Sequence, residues 1–360
     1  MQSDIGAGAY PKNLNRQIHG LRGVSALAVF IYHVYGMGTL WNFWPVELAP
    51  ADGFFAAGKH GVEIFFIISG YLITGSLVRH GDAGRFLVDR AIRLYPVFMT
   101  IQLLVFTLGP FMHYRFFDGI SATAWIMNFV ANGLFLPGVF DLPLVQLNAW
   151  SLSYEAAFYL LAATIFVAAR RWGRWAASAA LLLALALLIP IHPRAVFFLP
   201  GVIVFFVARR LVITLPVWFR ILSLPAFAAT LALLTIAETR PGLIYLATAP
   251  ALVFFICVVE GRCLFSTLLR TRFPQFLGTI SYSFYLWSPV VTYPLKLAIQ
   301  KILHGRINDL LIVTLFATIG FVASLLVAYL SYRVLEDWTG RRLHRWAGAR
   351  RIRTASPRPA

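Results

Sequence analysis

Long, nearly continuous apolar runs dominate the chain, and short polar segments separate them. A helix needs about 20 mainly apolar residues to cross the hydrocarbon core of a membrane. Runs close to that length lie at 21–40, 61–79, 95–112, 150–169, 175–191, 195–209, 218–237, 242–259, 276–298 and 310–333. The strands of a membrane barrel would instead alternate apolar and polar residues. The pattern therefore predicts an all-α, polytopic membrane helix bundle of about 10 transmembrane helices.

An eleventh run, 122–139, is interrupted by Asn128, Asn132 and Pro137. If this run also crossed the membrane, every later segment would change sides, and the basic cluster 170–174 would lie outside. The positive-inside rule therefore favours ten spans with both termini in the cytoplasm. Residues 113–148 then form an outer loop with an interfacial or re-entrant element.

In this topology, 24 of the 31 lysines and arginines face the cytoplasm. The predicted outer segments hold the remaining seven, which are Lys59, Arg115, Arg194, Arg240, Lys296, Lys301 and Arg306. The predicted organisation is a cytoplasmic segment over 1–15, one membrane domain over 16–338 and a basic tail over 339–360. Such a tail is expected to lie along anionic lipid headgroups.

Composition excludes an ordinary soluble protein, because the 360 residues are 59% hydrophobic and only 12% charged, against roughly 25% charged in soluble domains. The net charge of +17 could suggest a nucleic-acid partner. Here the basic residues form short clusters between apolar runs, which is a membrane-topology pattern, and we expect no nucleic-acid binding. The two cysteines offer neither a disulfide framework nor a metal-ligand set.

The first apolar run contains two ionisable residues, Arg22 and His33. Their spacing of eleven residues is close to three helical turns, so both would share one face, roughly 16 Å apart. Ala26 and Val29 lie between them on that face. The pattern indicates a narrow slot with a cation at one end and an imidazole at the other. The alternative is an arginine that snorkels to the membrane edge and a histidine satisfied inside the bundle.

Arg90 and Arg93 lie next to the third run. Their spacing of three residues would project both guanidinium groups from one helix face, and paired guanidinium groups suit bidentate phosphate binding. Alternatively, they form a positive-inside cluster with Asp89 as a local partner.

Glu155 opens the fourth run, in the segment Trp150–Glu155. A carboxylate just inside the membrane needs a partner, and it could orient an imidazole or accept hydrogen bonds from a bound hydroxyl. Equally, it could interact favourably with its own helix dipole.

Two further segments combine small and hydroxyl-bearing residues. The second run carries Glu63, Ser69 and Tyr71, and its Ser-Gly pair permits close helix packing. The ninth carries Tyr282 and Tyr285 among serines, which could line a polar cavity or form an interhelical hydrogen-bonding seam.

In their order, these motifs resemble those of the acyltransferase-3 family of integral membrane acyltransferases. The resemblance covers about residues 16–335 and rests on five segments, which are Arg22 to His33, Gly61–Ile73, Arg90–Arg93, Trp150–Glu155 and Ser281–Pro289. Glu63 replaces the usual aspartate and keeps its charge. Ser288 stands where many members carry histidine, which leaves His33 as the main imidazole candidate.

The resemblance implies an enzyme that moves an acyl group, typically acetyl from acetyl-CoA, to a hydroxyl of a carbohydrate such as a surface polysaccharide or exopolysaccharide unit. It implies the bacterial cytoplasmic membrane as location and no metal. Arg90, Arg93 and Arg22 would hold the donor. His33 would act as general base or as acyl carrier, with Arg22 and Glu155 beside it.

Acceptor contacts are expected from the remaining motif residues, which are Glu63, Ser69, Tyr71, Trp150, Tyr282 and Tyr285. The rival interpretation is a transporter or flippase for a glycolipid or polysaccharide precursor. Buried Arg, His and Glu also build proton relays, and proline-broken helices also occur in transporters.

Overall fold

The computed structural model describes residues 15–40, 42–112, 114–210, 219–303 and 305–346, and these ranges are predominantly helical without any β-strand. This confirms the predicted all-α bundle. The helices are α1 Arg16–Leu40, α2 Asp52–Ala57, α3 Gly61–His80, α4 Ala83–Leu108, α5 Ala122–Gly133, α6 Ala149–Leu188, α7 Phe198–Arg210, α8 Phe219–Ile236, α9 Leu243–Leu246, α10 Thr248–Val259, α11 Ser266–Leu269, α12 Arg272–Leu303 and α13 Asp309–Ser331. Residues 1–14 and 347–360, which belong to the predicted terminal segments, lie outside the described residues.

Each of the ten predicted apolar runs falls on a helix or a pair of adjoining helices. Six helical stretches of the described chain are long and apolar enough to cross a membrane, and Pro193–Val207 and Leu243–Val259 form shorter apolar helices. Two predicted runs share α6, where Gly173 breaks the helix with φ 86°. Only glycine adopts this backbone conformation readily, so a single residue separates the two halves.

α4 begins at Ala83, well before the predicted start of its run at residue 95. Gly81 ends α3 in a left-handed conformation with φ 63°. Asp82 then caps α4 by accepting a hydrogen bond from the Arg85 backbone N–H at 2.7 Å. Arg90 and Arg93 therefore lie inside a continuous helix, whose early turns fix the direction of both side chains.

The polar run at 122–139 does not form a spanning helix, as predicted, because α5 has only 12 residues. Asn132 is buried, and its side chain bonds the loop that follows α5: Nδ2 donates to Pro143 O at 3.0 Å and Oδ1 accepts from Val145 N at 3.1 Å. Lys296 was expected in an outer segment, but it is buried within α12. Its Nζ lies 4.3 Å from the centre of the Tyr293 ring.

α1 lies at the centre of the bundle. It runs parallel to α12, because contacts between the two helices advance in the same direction along both. His19 Nε2 lies 3.2 Å from Thr279 Oγ1 near one end, and the Phe30 ring lies beside the Phe284 ring further along. α3 packs against α1 and α7. Gly70 lets α3 approach α7 so closely that a Cβ atom there would collide with the Phe198 carbonyl group.

Candidate active site

Two cavities formed by the described residues hold most of the candidate side chains, which divide between them. The first, about 240 Å³, is called here the arginine cavity and is lined by Arg22, Arg79, Arg90, Arg93, Glu155 and surrounding residues of α1, α3, α4, α6 and α12. The second, about 380 Å³, is called the histidine cavity and is lined by Tyr32, His33, Lys59, Asn148, Trp150, Arg194 and apolar neighbours. Val62 and Tyr285 line both, so the cavities meet at these two side chains.

The arginine cavity contains four guanidinium groups. Arg22 and Arg90 are partly buried, whereas Arg79 and Arg93 are exposed. No ion pair within 4.0 Å joins any of them to a carboxylate of the described chain. Arg90 Nε is buried without a hydrogen-bond partner, and the group lies over the Phe86 ring at 5.9 Å. The lining therefore carries four guanidinium groups against one carboxylate, Glu155, and is strongly cationic.

Glu155 is the one carboxylate among the residues described as lining this cavity. Its Oε1 accepts hydrogen bonds from Ser69 Oγ at 3.2 Å and from the Tyr159 hydroxyl at 2.6 Å. It forms neither a hydrogen bond nor an ion pair with His33. The expectation that Glu155 orients the imidazole is therefore not met, because the Glu155 side chain lines the arginine cavity whereas His33 lines the histidine cavity.

His33 projects from α1 into the histidine cavity. Its Nδ1 is buried and has no hydrogen-bond partner among the described residues. The Tyr32 ring lies beside it, with 5.8 Å between the ring centres. The imidazole lines the cavity, and no carboxylate of the described residues pairs with it to fix its tautomer.

The predicted continuous slot between Arg22 and His33 is wrong. Arg22 lines the arginine cavity and His33 the histidine cavity. Val29 lies beside His33 in its cavity, whereas Ala26 packs into the apolar core with residues of α12 and α13. Because Ala26 is almost fully buried, it lines neither cavity, and the two cavities adjoin at Val62 and Tyr285 instead.

Glu63 lines neither cavity, so the expected substrate contact is not what its position provides. The carboxylate is almost fully buried, and its Oε1 pairs with Arg194 Nη1 at 3.2 Å. His60 Nδ1 lies 3.6 Å from its other oxygen. The Arg194 guanidinium also lies over the Trp150 ring, 5.4 Å from its centre. Glu63 positions a cation at the wall of the histidine cavity.

The tyrosines of the motifs have different environments. Tyr282 lines the arginine cavity and its hydroxyl donates to Leu94 O at 2.7 Å. The Tyr285 hydroxyl lies 2.8 Å from Ser151 Oγ, at the boundary of both cavities. Tyr71 lines neither cavity, because its ring packs between Phe205 and Phe255 on the far side of α3. The expected acceptor contact of Tyr71 therefore has no support in its placement.

Sequence reasoning missed four charged residues near the cavities: Lys59, Arg79, Arg194 and Glu336. The sequence pattern presents the three basic residues only as markers of topology. Glu336 lies in a π-helical turn, Tyr332–Trp338, and accepts a hydrogen bond from Ser283 Oγ at 2.6 Å. A carboxylate directly after an apolar run was the available signal for it.

The chain belongs to the acyltransferase-3 family, since the family profile described as an acyltransferase domain matches residues 15–333. The resemblance inferred from the motifs is thereby confirmed. The chain is 30% identical over 141 residues to Nodulation protein 10 of Rhizobium leguminosarum bv. viciae, covering 36% of this chain and 38% of the relative.

It is also 29% identical over 177 residues to Peptidoglycan O-acetyltransferase OatA of Listeria monocytogenes, a match that covers 45% of this chain and 26% of the relative. Over 160 residues it is 31% identical to O-acetyltransferase OatA of Staphylococcus aureus, a match that covers 41% of this chain and 24% of the relative. The matches span less than two fifths of these relatives. No solved structure gives a significant match.

Proposed function

We propose that the protein transfers an acetyl group from acetyl-CoA to a hydroxyl group of a carbohydrate. The donor binds in the arginine cavity and the acceptor in the histidine cavity. Relatives named as O-acetyltransferases support the reaction type. The separation of a cationic cavity from one that holds an imidazole supports the division between donor and acceptor.

The observation that carries the donor assignment is the convergence of four arginines without ion-pair partners. Cations inside a membrane bundle are costly unless an anion compensates them. Coenzyme A supplies a diphosphate and a 3′-phosphate on one molecule, and guanidinium groups bind phosphate oxygens in bidentate geometry. Two of the arginines are exposed and two are partly buried. This arrangement suits a ligand that enters the cavity with its thioester end first.

His33 supports the chemical step. As a neutral imidazole it takes the proton of the acceptor hydroxyl while the hydroxyl oxygen attacks the thioester carbonyl carbon. The C–O bond forms, the C–S bond breaks, and the proton passes from the imidazolium to the departing CoA thiolate. General-base catalysis of this kind contributes about 10²–10⁴-fold. Tyr285, at the junction of the cavities, lies where the thioester would meet the acceptor.

The arginine cavity opens toward the end of the bundle where α3 finishes and α4 begins. Basic groups collect there: Arg170 Nη1 donates to Gly81 O at 2.7 Å, and Arg16 Nη2 donates to Arg270 O at 3.3 Å. The positive-inside rule assigns this end to the cytoplasm. This supports a cytoplasmic-membrane enzyme that takes acetyl-CoA from inside and exposes 113–148, with the histidine cavity, to the outer side.

The test uses the full chain reconstituted in lipid nanodiscs with radiolabelled acetyl-CoA. We expect CoA binding, acceptor-dependent release of CoA thiol and label in the carbohydrate. Incubation with donor alone also shows whether His33 itself becomes acetylated, as covalent catalysis would require. A chain that binds no CoA and releases no thiol with any acceptor would refute the proposed function.

A further inference from the structure

The charged residues of the histidine cavity are all basic. Lys59 and Arg194 line it together with His33, and the described lining contains no aspartate or glutamate. The carboxylates that pair with these cations, Glu63 and Glu238, are not among the lining residues. The charged groups that face a molecule in the cavity are therefore cationic, although each is paired with a carboxylate outside the lining.

Arg194 is held in one orientation with part of its donor set unused. Glu63 pairs with its Nη1, and Trp150 supports its planar face. No described residue accepts a hydrogen bond from its Nε or Nη2, and 38% of the side chain is exposed. A guanidinium has five N–H donors in a rigid fork, so the remaining edge can still bind an oxyanion.

Lys59 adds a second, less exposed cation, paired with Glu238. Three aromatic side chains, Tyr32, Trp150 and Tyr285, line the same cavity. Aromatic faces with polar tips give an amphipathic wall suited to the apolar face of a sugar ring. At about 380 Å³ the cavity lies within the size range of small-molecule sites.

We propose that the acceptor is an anionic glycoconjugate, whose negative group is bound by Arg194 and Lys59 while its hydroxyl reaches His33. This inference rests on the proposed function and names its acceptor class. The negative group is either a carboxylate on the sugar or a diphosphate that links the sugar to a lipid. Both offer the oxygen pair that a guanidinium edge recognises.

The experiment compares three acceptors in nanodiscs containing the full chain and labelled acetyl-CoA. They are neutral cellotetraose, a tetrasaccharide of alternating glucose and glucuronate, and glucose linked through a diphosphate to a polyprenyl chain. We expect kcat/KM to be at least about tenfold higher for one or both anionic acceptors, the factor that one charge-assisted hydrogen bond provides. The acceptor that is preferred identifies the source of the anion.

Arg194→Gln should raise KM for the preferred acceptor by about tenfold, and Lys59→Gln by less, because its ammonium group lacks a fork. In both variants CoA binding should be unchanged, and KM for cellotetraose should rise clearly less than KM for the preferred anionic acceptor. Arg240→Gln is the matched control, since Arg240 is exposed and lies outside the cavity near Glu238. Arg194→Gln leaves the buried Glu63 carboxylate without its ion-pair partner, which could prevent folding. The double variant Glu63→Gln with Arg194→Gln removes that unpaired charge, so the acceptor preference can still be measured if the single variant does not fold.

Equal use of neutral and anionic acceptors would overturn the proposal while leaving the proposed function standing. A parallel loss of activity on all acceptors in Arg194→Gln would show a purely structural ion pair, and it would overturn the proposal too. Turnover of none of the three acceptors by a chain that still binds CoA also counts against it. Failure of the proposed function itself would appear separately, as absent CoA binding.

Discussion

Replacement of Arg90 by alanine should weaken CoA binding strongly and disturb the fold little. Among the described residues Arg90 has no ion pair, its buried Nε has no hydrogen-bond partner, and its guanidinium lies 5.9 Å from the centre of the Phe86 ring. Removing the side chain therefore costs about 0.5–1 kcal/mol of cation–π interaction. The unpaired charge that it also removes was itself unfavourable inside the bundle.

The loss on the ligand side is larger. A hydrogen bond between a guanidinium and a phosphate contributes roughly 1.5–3 kcal/mol. Since about 1.4 kcal/mol corresponds to a tenfold change in Kd, Arg90→Ala should raise Kd for CoA by roughly 10- to 150-fold. Arg90→Lys should recover only part of this, because an ammonium group cannot form the bidentate contact.

The assay is titration of CoA into nanodiscs by calorimetry, with the thermal midpoint recorded for each variant. Arg85→Ala is the control, since Arg85 lies on the same helix, is exposed and does not line the cavity. If Arg90→Ala bound CoA within twofold of the parent chain, the arginine cavity would not be the donor site. Arg90 would then be only a topological marker.

Three further predictions concern the two cavities and the topology of the chain. His33→Ala should lower acetyl transfer by about 10²-fold or more while CoA binding persists, because the imidazole and the arginines line different cavities; loss of CoA binding in calorimetry would contradict the separation. Arg79→Gln should weaken binding of CoA but not of 3′-dephospho-CoA, because Arg79 is exposed, with its Nη1 beside Gly75, and can contact the 3′-phosphate. Equal weakening of both ligands would exclude that contact. Thr123→Cys, at an exposed position in the first turn of α5, should react with an impermeant thiol reagent on intact cells once the native cysteines are replaced, and reaction only after lysis would reverse the topology.

The structure also shows which positions of the predicted outer loop can carry such a label. Asn132 belongs to the predicted outer loop, yet it is buried and its amide holds the chain at Pro143 and Val145. A cysteine there would break these hydrogen bonds and be shielded from the reagent. From sequence, a polar residue in a loop was indistinguishable from an exposed one.

The sequence by itself determined the helical bundle and most of the chemistry-bearing residues. Run length and the scarcity of charge leave only helices as a way to satisfy backbone groups in lipid, which is why all ten runs became helices. Charge inside such runs is costly, so Arg22, His33 and Glu155 were visible as candidates, whereas Arg90 stood out by its spacing from Arg93 beside the third run. Their order along the chain was enough to indicate the family.

Only the tertiary structure decided which of these residues face one another. Helical periodicity places Arg22 and His33 on one side of α1, but Val62 of α3 and Tyr285 of α12 pack there and divide the space into two cavities. Likewise, Glu63 was expected at a substrate and instead holds Arg194, which lies far along the chain. The spacing of residues within one helix determines only where their side chains lie along and around that helix. What a side chain meets depends on the packing of distant helices, which no local pattern encodes.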